Sequence, residues 1–370
     1  MEKKQTLDAL TSLRFFAAAL IVVGHGNHLF RSVDLLGILA GEQAVSFFFV
    51  LSGFILAYTY SDRILGGRAL GEYYVARFAR VWPTHLLTAA IALLLIYESV
   101  PVWTITATNL LLLQAWIPNS DYFFSLNGVS WSISVEMLFY ATFPFVLRRI
   151  DSTWHWKLAA SIAIAIISMS FIRLAGEQAR LWSVYIFPLT RFPEFVLGVT
   201  CYHAFSRCKP SLDRMSTRIA SVIEIGSLAA CVLAMWISGW VHAWVSAHHP
   251  SLLLPATWLR SEGGAPIFAI AIFFFAAQAG VVSRILRRRM FVFLGESSFA
   301  LYMFHQIVRL VWAKHAFPTF HPEIIGWVCY ISLSLAGAAI IHKWFEHPMR
   351  TIVRRAFTGI WRKPQATYGA

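Results

Sequence analysis

An arginine and a histidine on one apolar N-terminal segment are the residues of this sequence that are best placed for chemistry. Arg14 and His25 are eleven residues apart within residues 7–28. At about 100° and 1.5 Å per residue, an α-helix puts both side chains on one face, roughly 16 Å apart along the axis. A cation and an imidazole are costly in hydrocarbon, so such residues usually line a cavity and act there. We therefore expect a path from a positive charge to a buried, uncharged imidazole that accepts a proton.

Two further arginines occur at the start of a later apolar segment. Arg77 and Arg80 are three residues apart in YYVARFARVWPTH and therefore share one helix face. Arginines at such positions usually anchor the topology of a membrane protein. Two cations on one face, leading into a helix with a proline, also suit a phosphate or pyrophosphate. The residues alone favour neither interpretation.

Polar side chains in two other apolar segments are candidates for the same site. Ser132 and Glu136 share a helix face at i, i+4, and an acid inside a membrane span requires a partner. Glu136 either forms a structural pair with an arginine or histidine, or orients a catalytic imidazole. Tyr302 and His305 belong to another polar stripe, which either lines an acceptor path or consists of hydrogen-bonded core residues.

Two remaining patterns have structural interpretations. Ser52 and Gly53, in the middle of an apolar helix, are typical of close helix packing. Arg191 and Glu194, three residues apart around a proline, predict a buried ion pair at a helix kink.

The elements that must position these residues are membrane-length helices. Of 370 residues, 58% are hydrophobic and 13% are charged, which is too apolar for an ordinary soluble chain. The net charge of +13 would suggest nucleic acid as a partner of a soluble protein. Here most lysines and arginines occur in alternate short connections, the positive-inside pattern of a membrane protein, so nucleic acid is not expected as a partner.

Apolar runs near the roughly 20 residues needed to cross hydrocarbon predict an all-α integral membrane protein with about ten transmembrane helices. We place these helices at residues 10–30, 43–61, 80–98, 130–148, 157–174, 184–205, 217–238, 263–282, 291–312 and 325–343. The connections at 62–79, 149–156, 206–216 and 283–290 are basic, so both termini are expected to be cytoplasmic. Residues 102–118 are expected to form a re-entrant or interfacial segment.

The sequence predicts one membrane domain, residues 1–348, followed by a basic amphipathic cytoplasmic tail, residues 349–370. The tail mixes arginine with isoleucine, valine, phenylalanine and tryptophan, which is typical of a helix on an anionic membrane surface. Glu346 and Arg350, at i, i+4, are expected to fasten this tail locally. The first apolar run contains Arg14 and no small-residue cleavage site follows it, so it is expected to remain as an uncleaved span.

Several common chemistries have no signature here. The four cysteines show no CxxC or histidine-paired spacing, so neither a disulfide framework nor a metal site is expected. The motifs of serine hydrolases, P-loop nucleotide hydrolases, zinc proteases and dinucleotide-binding proteins do not occur in the sequence.

The order of the motifs is more specific than any one of them. Arg14 is followed after ten residues by His25, then by FFFVLSGF, RFARVWP, WSISVE, LGESSFALYMFH and FEHPMR. This series spans essentially the whole chain and resembles the acyltransferase-3 family, bacterial multi-pass membrane enzymes that O-acylate sugars, polysaccharides and some macrolides.

The resemblance implies a specific reaction. It implies an acyl-CoA donor, usually acetyl-CoA, with no permanently bound cofactor, and a carbohydrate or macrolide-like hydroxyl acceptor. It also implies that His25 is catalytic, that Arg14, Arg77 and Arg80 are needed for activity, and that the chain lies in the bacterial cytoplasmic (inner) membrane. We expect the three arginines to hold the donor phosphates and Glu136 or Ser132 to orient the His25 ring.

We assign Ser132, Tyr302 and His305 to acceptor binding. The departures from the family pattern lie in the predicted span that contains Tyr302 and His305. Phe299 stands where relatives often have tyrosine, and QIV at residues 306–308 replaces a common ending that contains proline. A transporter or flippase for a lipid-linked sugar is the alternative function, because it too would need about ten helices with intramembrane histidine, glutamate and arginine.

Overall fold

The computed structural model describes residues 5–30, 40–65, 70–97, 102–172, 179, 182–315 and 323–361. Over these residues the protein is helical and contains no β-strand. The helices are α1 (Asp8–Gly26), α2 (Gln43–Leu65), α3 (Leu70–Leu95), α4 (Trp103–Leu110), α5 (Ser120–Phe123), α6 (Trp131–Leu147), α7 (Ile150–Ile172), α8 (Pro188–Leu212), α9 (Thr217–His248), α10 (Leu253–Glu262), α11 (Ala265–Ala277), α12 (Val281–Leu286), α13 (Arg289–Glu296), α14 (Ser298–Lys314), α15 (Ile324–Ile341) and α16 (His347–Trp361).

Seven helical segments within these ranges are long and apolar enough to cross a membrane. They are Asp8–Gly26, Gln43–Ile64, Leu70–Leu95, Gly128–Leu147, Thr217–His248, Pro250–Ala277 and Ile324–Phe357. Helices α13 and α14, bent by 58°, form an eighth if the pair counts as one broken span. The other two predicted positions are occupied by α7 and α8, which are not among these segments. The count of ten and the cytoplasmic side of the termini stay predictions.

Residues 102–118, where the sequence favours a re-entrant or interfacial segment, contain no continuous helix of membrane length. Helix α4 has eight residues and is followed by a short 3₁₀ turn at Gln114–Trp116. Leu112 between them has a φ of 59°, a left-handed conformation that interrupts a right-handed helix. The chain therefore breaks here before α6 begins.

Helices α2 and α8 cross so closely that each presents a glycine to the other's backbone. A Cβ atom at Gly53 would lie 2.1 Å from the carbonyl oxygen of Phe195. A Cβ atom at Gly198 would lie 2.0 Å from the carbonyl oxygen of Val50. Only glycine allows this approach, so the packing interpretation of the SG pair in the second span is confirmed.

A similar contact places α1 within the bundle. A Cβ atom at Gly295 of α13 would lie 2.0 Å from the carbonyl oxygen of Thr11. The Ser12 hydroxyl of α1 donates to the carbonyl oxygen of Leu286, 2.6 Å away. The first half of α1 is thus fixed against α12 and α13, and α14, which follows α13 directly, runs beside α1.

The predicted ion pair of Arg191 and Glu194 is present and is part of a larger cluster. Arg191 Nε lies 3.0 Å from Glu194 Oε2, and Arg191 Nη1 lies 3.3 Å from Glu262 Oε1 on α10. All three side chains are buried. The second carboxylate was not predicted, because Glu262 is 68 residues further along the sequence.

Helix α16 continues from α15 through a π-helical turn at His342–Glu346, and its first part lies within the membrane-length segment Ile324–Phe357. It packs against α3, and the rings of Phe78 and Phe357 lie 6.3 Å apart. Arg350, Arg354 and Arg355 are interspersed with apolar residues such as Ile352 and Val353, as expected for an amphipathic helix. The division at residue 348 and the cytoplasmic location of the tail stay predictions.

We expect the Gly198→Ala substitution to destabilise the protein, because the added methyl group would collide with the backbone of α2. Overpacking of this kind costs about 1–3 kcal/mol. Gly226→Ala on α9 is the matched control, since a Cβ atom there meets nothing within 4 Å. Thermal unfolding of the purified variants in one detergent measures both effects. Equal unfolding temperatures for the two variants would contradict the close crossing.

Candidate active site

A cavity of about 310 Å³ lies inside the bundle and contains the predicted arginines. Four arginines and one acid supply its charged groups, while phenylalanine, leucine, isoleucine and valine supply most of the remaining wall. These charged side chains are Arg14, Arg77, Arg80, Arg350 and Glu136. The cavity therefore has a net positive charge, and the charged residues that line it come from helices α1, α3, α6 and α16.

Arg77 is held by aromatic side chains. Its Nη2 donates to the Tyr60 hydroxyl over 3.1 Å, and its guanidinium lies 5.2 Å from the Tyr60 ring centre and 6.0 Å from that of Tyr140. Aromatic faces attract a cation but leave most of its N–H donors unused. Arg77 Nε is a buried atom with no hydrogen-bond partner in the described part of the chain.

Arg14 has no hydrogen bond or ion pair to the described residues. Arg80 is close enough to repel its charge, while Glu346 and Glu136 attract it from a distance. A guanidinium inside an apolar bundle normally has its donors satisfied. An unpaired one that lines a cavity is suited to bind an anion.

One buried carboxylate fixes two of the cations. Glu346 Oε1 accepts from Arg80 Nη1 over 3.2 Å and also accepts from Arg350. Glu346 Oε2 lies 3.2 Å from His342 Nδ1. Arg80 and Arg350 thus share a single oxygen, so at least one positive charge is left for the cavity. The sequence pattern indicated only the local pair of Glu346 and Arg350, because Arg80 is 266 residues away.

Glu136 lies at the arginine end of the cavity. Its carboxylate accepts a hydrogen bond from the Tyr140 hydroxyl one helical turn later. The partner that contacts the His25 ring is instead His305. The structure thus places Glu136 among the cations and does not bring it to the imidazole that it was predicted to orient.

Ser132 and Tyr302, both predicted to bind substrate, line the same cavity. Their hydroxyl groups are 2.8 Å apart, and the Tyr302 hydroxyl also donates to the carbonyl oxygen of Val129 over 3.0 Å. These bonds tie α14 to the start of α6. The Tyr302 ring centre is 6.0 Å from that of His305.

His25 and His305 form a hydrogen-bonded pair. His25 Nδ1 lies 2.9 Å from His305 Nε2, and His305 Nδ1 lies 3.1 Å from the carbonyl oxygen of Leu301. A carbonyl oxygen only accepts, so His305 Nδ1 must carry a proton. In the neutral ring His305 Nε2 is then the acceptor, and His25 Nδ1 is the donor. This leaves the lone pair of His25 on Nε2, the nitrogen that is able to accept a proton or attack a carbonyl.

The structure therefore connects most of the predicted residues in one line, from the arginines through Tyr302 and His305 to His25. The two histidines are not among the residues that line the cavity. His305 lies next to the cavity residue Tyr302, and His25 contacts His305, so the cavity itself extends from the arginines to Tyr302 and does not include the imidazole of His25.

A second cavity, of about 590 Å³, lies between α7, α8 and α10. Its walls are almost entirely apolar, and its two acids, Glu194 and Glu262, already pair with Arg191. The arrangement offers no counterpart of the free cations of the first cavity. Within the described ranges, no group of three or more histidine, cysteine, aspartate or glutamate side chains is placed to hold a metal ion.

The chain belongs to the acyltransferase-3 family: the family model described as an acyltransferase domain matches residues 7–343. This match and the relatives below make the protein an O-acyltransferase, and its apolar helices make it a multi-pass membrane protein. The Acyltransferase MdmB of Streptomyces mycarofaciens is 30% identical, over 98% of this chain and 94% of that protein.

Two further relatives are more distant. A Staphylococcus aureus (strain COL) protein, named as a candidate O-acetyltransferase, is 22% identical over 94% of this chain, which spans 58% of that protein's length. Nodulation protein 10 of Rhizobium leguminosarum bv. viciae is 26% identical over 42% of this chain and 48% of its own length. No solved structure matches the chain.

We expect replacement by methionine to affect the stability of the protein differently at two arginines inside the bundle, Arg191 and Arg14. Arg191→Met leaves Glu194 and Glu262 buried without their cation, which costs about 3–5 kcal/mol. Arg14→Met removes a cation that has no carboxylate partner among the described residues, so the protein keeps or gains stability. Unfolding temperatures of the two purified variants provide the comparison. A large loss of stability in Arg14→Met would show that Arg14 is a structural residue.

Proposed function

We propose that the protein transfers an acyl group, in the simplest case acetyl, from cytoplasmic acyl-CoA to a hydroxyl group of a sugar, polysaccharide or macrolide-like acceptor. The observation that carries this proposal is the line of contacts from the arginine-lined cavity through Tyr302 and His305 to His25. It joins a site for a polyanion to an imidazole with a free nitrogen. This is the pairing that a phosphate-bearing thioester requires.

The positive charge of the cavity identifies it as the binding site that we assign to the acyl donor. Acyl-CoA carries several phosphates and is made in the cytoplasm, where the basic connections of the chain are predicted to lie. Arg14, Arg77 and Arg80 line one cavity, and guanidinium groups bind phosphate oxygens through paired N–H donors. We assign these three arginines to the donor phosphates. We also assign the protein to the bacterial cytoplasmic membrane, with both termini in the cytoplasm.

The chemistry is assigned to His25. As a general base, Nε2 takes the proton of the acceptor hydroxyl, the hydroxyl oxygen attacks the thioester carbonyl, and the CoA thiolate leaves and is then protonated. In the alternative route Nε2 itself attacks the carbonyl and the CoA thiolate leaves. The acceptor hydroxyl then attacks the acyl-imidazole, which releases the imidazole, and the hydroxyl proton passes to the thiolate or the imidazole. Both routes use the same lone pair, and no permanently bound cofactor takes part in either.

Tyr302 stands between the two parts of the site. Because the cavity reaches Tyr302 and not His25, an acyl group has to pass this ring to reach the imidazole. Ser132 and Tyr302 hold one another in place, and we assign them to the contact with the reacting groups. Glu136, placed among the arginines, is assigned to balancing their charge instead of orienting His25.

A transporter or flippase for a lipid-linked sugar was the alternative. The matched family is one of acyltransferases, and two of the relatives named above carry acyltransferase or O-acetyltransferase names, so we do not carry the alternative further.

We expect His25→Ala to abolish acyl transfer and leave membrane insertion intact, because it removes the only nitrogen assigned to the reaction. General base catalysis alone contributes about 10²–10⁴ in rate. Mass spectrometry of surface glycans and secreted small molecules checks this, in cells lacking the gene and complemented with wild type or variant. An acetyl-sized mass should return only with wild type. Its return with well-expressed His25→Ala would exclude His25 as the catalytic group.

We expect His305 to act by orienting His25. His305→Gln places an amide oxygen that accepts from His25 Nδ1, whereas His305→Ala leaves this proton without a partner. Transfer by membrane vesicles at saturating acetyl-CoA should therefore fall much less in the glutamine variant, with the KM for acetyl-CoA unchanged in both. Equal losses in the two variants would instead favour the direct acceptor contact that the sequence predicted for His305.

A further inference from the structure

The C-terminal helix α16 brings a side chain into the arginine-lined cavity from outside the matched family domain. The family model ends at residue 343, and α16 begins at His347. Arg350, in its first turn, is nevertheless one of the residues that line the cavity. Arg350 is the last residue of the FEHPMR motif, but neither the family match nor the sequence pattern assigns it a role beyond a local pair with Glu346.

The contacts of Arg350 leave it both fixed and incompletely satisfied. Its Nη2 donates to Glu346 Oε1, which also accepts from Arg80. Glu346 is 1% exposed, and His342 Nδ1 occupies its other oxygen. Arg350 Nε is buried and has no hydrogen-bond partner within the described residues. One carboxylate thus holds two guanidinium groups side by side and neutralises a single charge.

Two like charges held together in a bundle of apolar helices are unfavourable without an anion. Arg80 and Arg350 retain unused N–H donors beside the cavity, and planar guanidinium groups with free donors bind phosphate oxygens. The geometry points to a fourth donor-binding arginine: we propose that Arg350 binds a phosphate of the nucleotide part of acyl-CoA. This proposal rests on the proposed function, because it takes the donor to be a CoA thioester.

Helix α16 would thereby complete the donor site. It is held on α3 by contacts such as that of Phe78 with Phe357, and α3 also carries Arg77 and Arg80. Glu346, in the turn that leads into the helix, sets the position of both arginines that it contacts. The amphipathic helix therefore has a second role besides any contact with the membrane surface. It closes one side of the phosphate-binding site.

Direct binding to the full-length purified protein tests this proposal without knowledge of the acceptor. Calorimetric titration with CoA, and separately with pantetheine, which lacks the nucleotide and its phosphates, is carried out on wild type, Arg350→Ala and Arg350→Lys. Arg355→Ala is the matched control, since Arg355 is on the same helix and is not among the cavity residues. Losing one charge-assisted contact should weaken CoA binding by Arg350→Ala about ten- to a hundredfold.

The results of these titrations distinguish failure of the Arg350 proposal from failure of the proposed function. Pantetheine binding should be the same in all variants, Arg350→Lys should recover part of the CoA affinity, and Arg355→Ala should bind CoA like wild type. If Arg350→Ala also binds CoA like wild type, while Arg77→Ala binds it weakly, the proposal is wrong and the proposed function stands. If wild type itself does not bind CoA, the donor assignment and this proposal both fail. Unfolding temperatures identify a variant that has lost its fold, and Arg350→Lys then decides the question.

Discussion

The burial of several arginines inside a bundle of apolar helices is the constraint on which this structure depends. A guanidinium group cannot be left in hydrocarbon without partners, so each arginine must find a carboxylate, an aromatic face or a ligand. Arg191 is neutralised by two carboxylates from two helices. Arg80 and Arg350 share one buried carboxylate, and Arg14 pairs with none among the residues that the structure describes. The positions where this compensation is incomplete coincide with the cavity that we assign to the donor.

The difference between paired and incompletely paired arginines explains why the arginines inside this bundle have different roles. The Arg191 cluster joins α8 to α10 and needs nothing from outside the protein, so we interpret it as structural. The arginines of the cavity outnumber its one acid, and such an excess of buried positive charge is unfavourable without an anion. A site of this kind binds its ligand strongly because the ligand supplies the missing half of an interaction that the fold has already arranged.

The histidine pair shows how a distant backbone group defines the chemistry of a side chain. The carbonyl oxygen of Leu301 determines which nitrogen of His305 carries the proton, and His305 in turn determines which nitrogen of His25 is free. The proton arrangement follows from the packing of α14 against α1, which the close contact at Gly295 stabilises. His305 is thus better explained as the partner of His25 than as a contact of the acceptor.

The order of polar residues in the sequence was sufficient to predict helices, the family, three of the four arginines of the cavity, the ion pair at Arg191 and the packing role of the SG pair. Each of these depends on spacing within one helix or on motif order, and local geometry fixes both. The shared carboxylate of Arg80 and Arg350, the position of Glu136 among the cavity arginines, and the bond between His25 and His305 depend on contacts between positions far apart in the chain. Only the packing of the whole bundle decides such contacts, because helical periodicity specifies which face of a helix is polar but not which other helix that face meets.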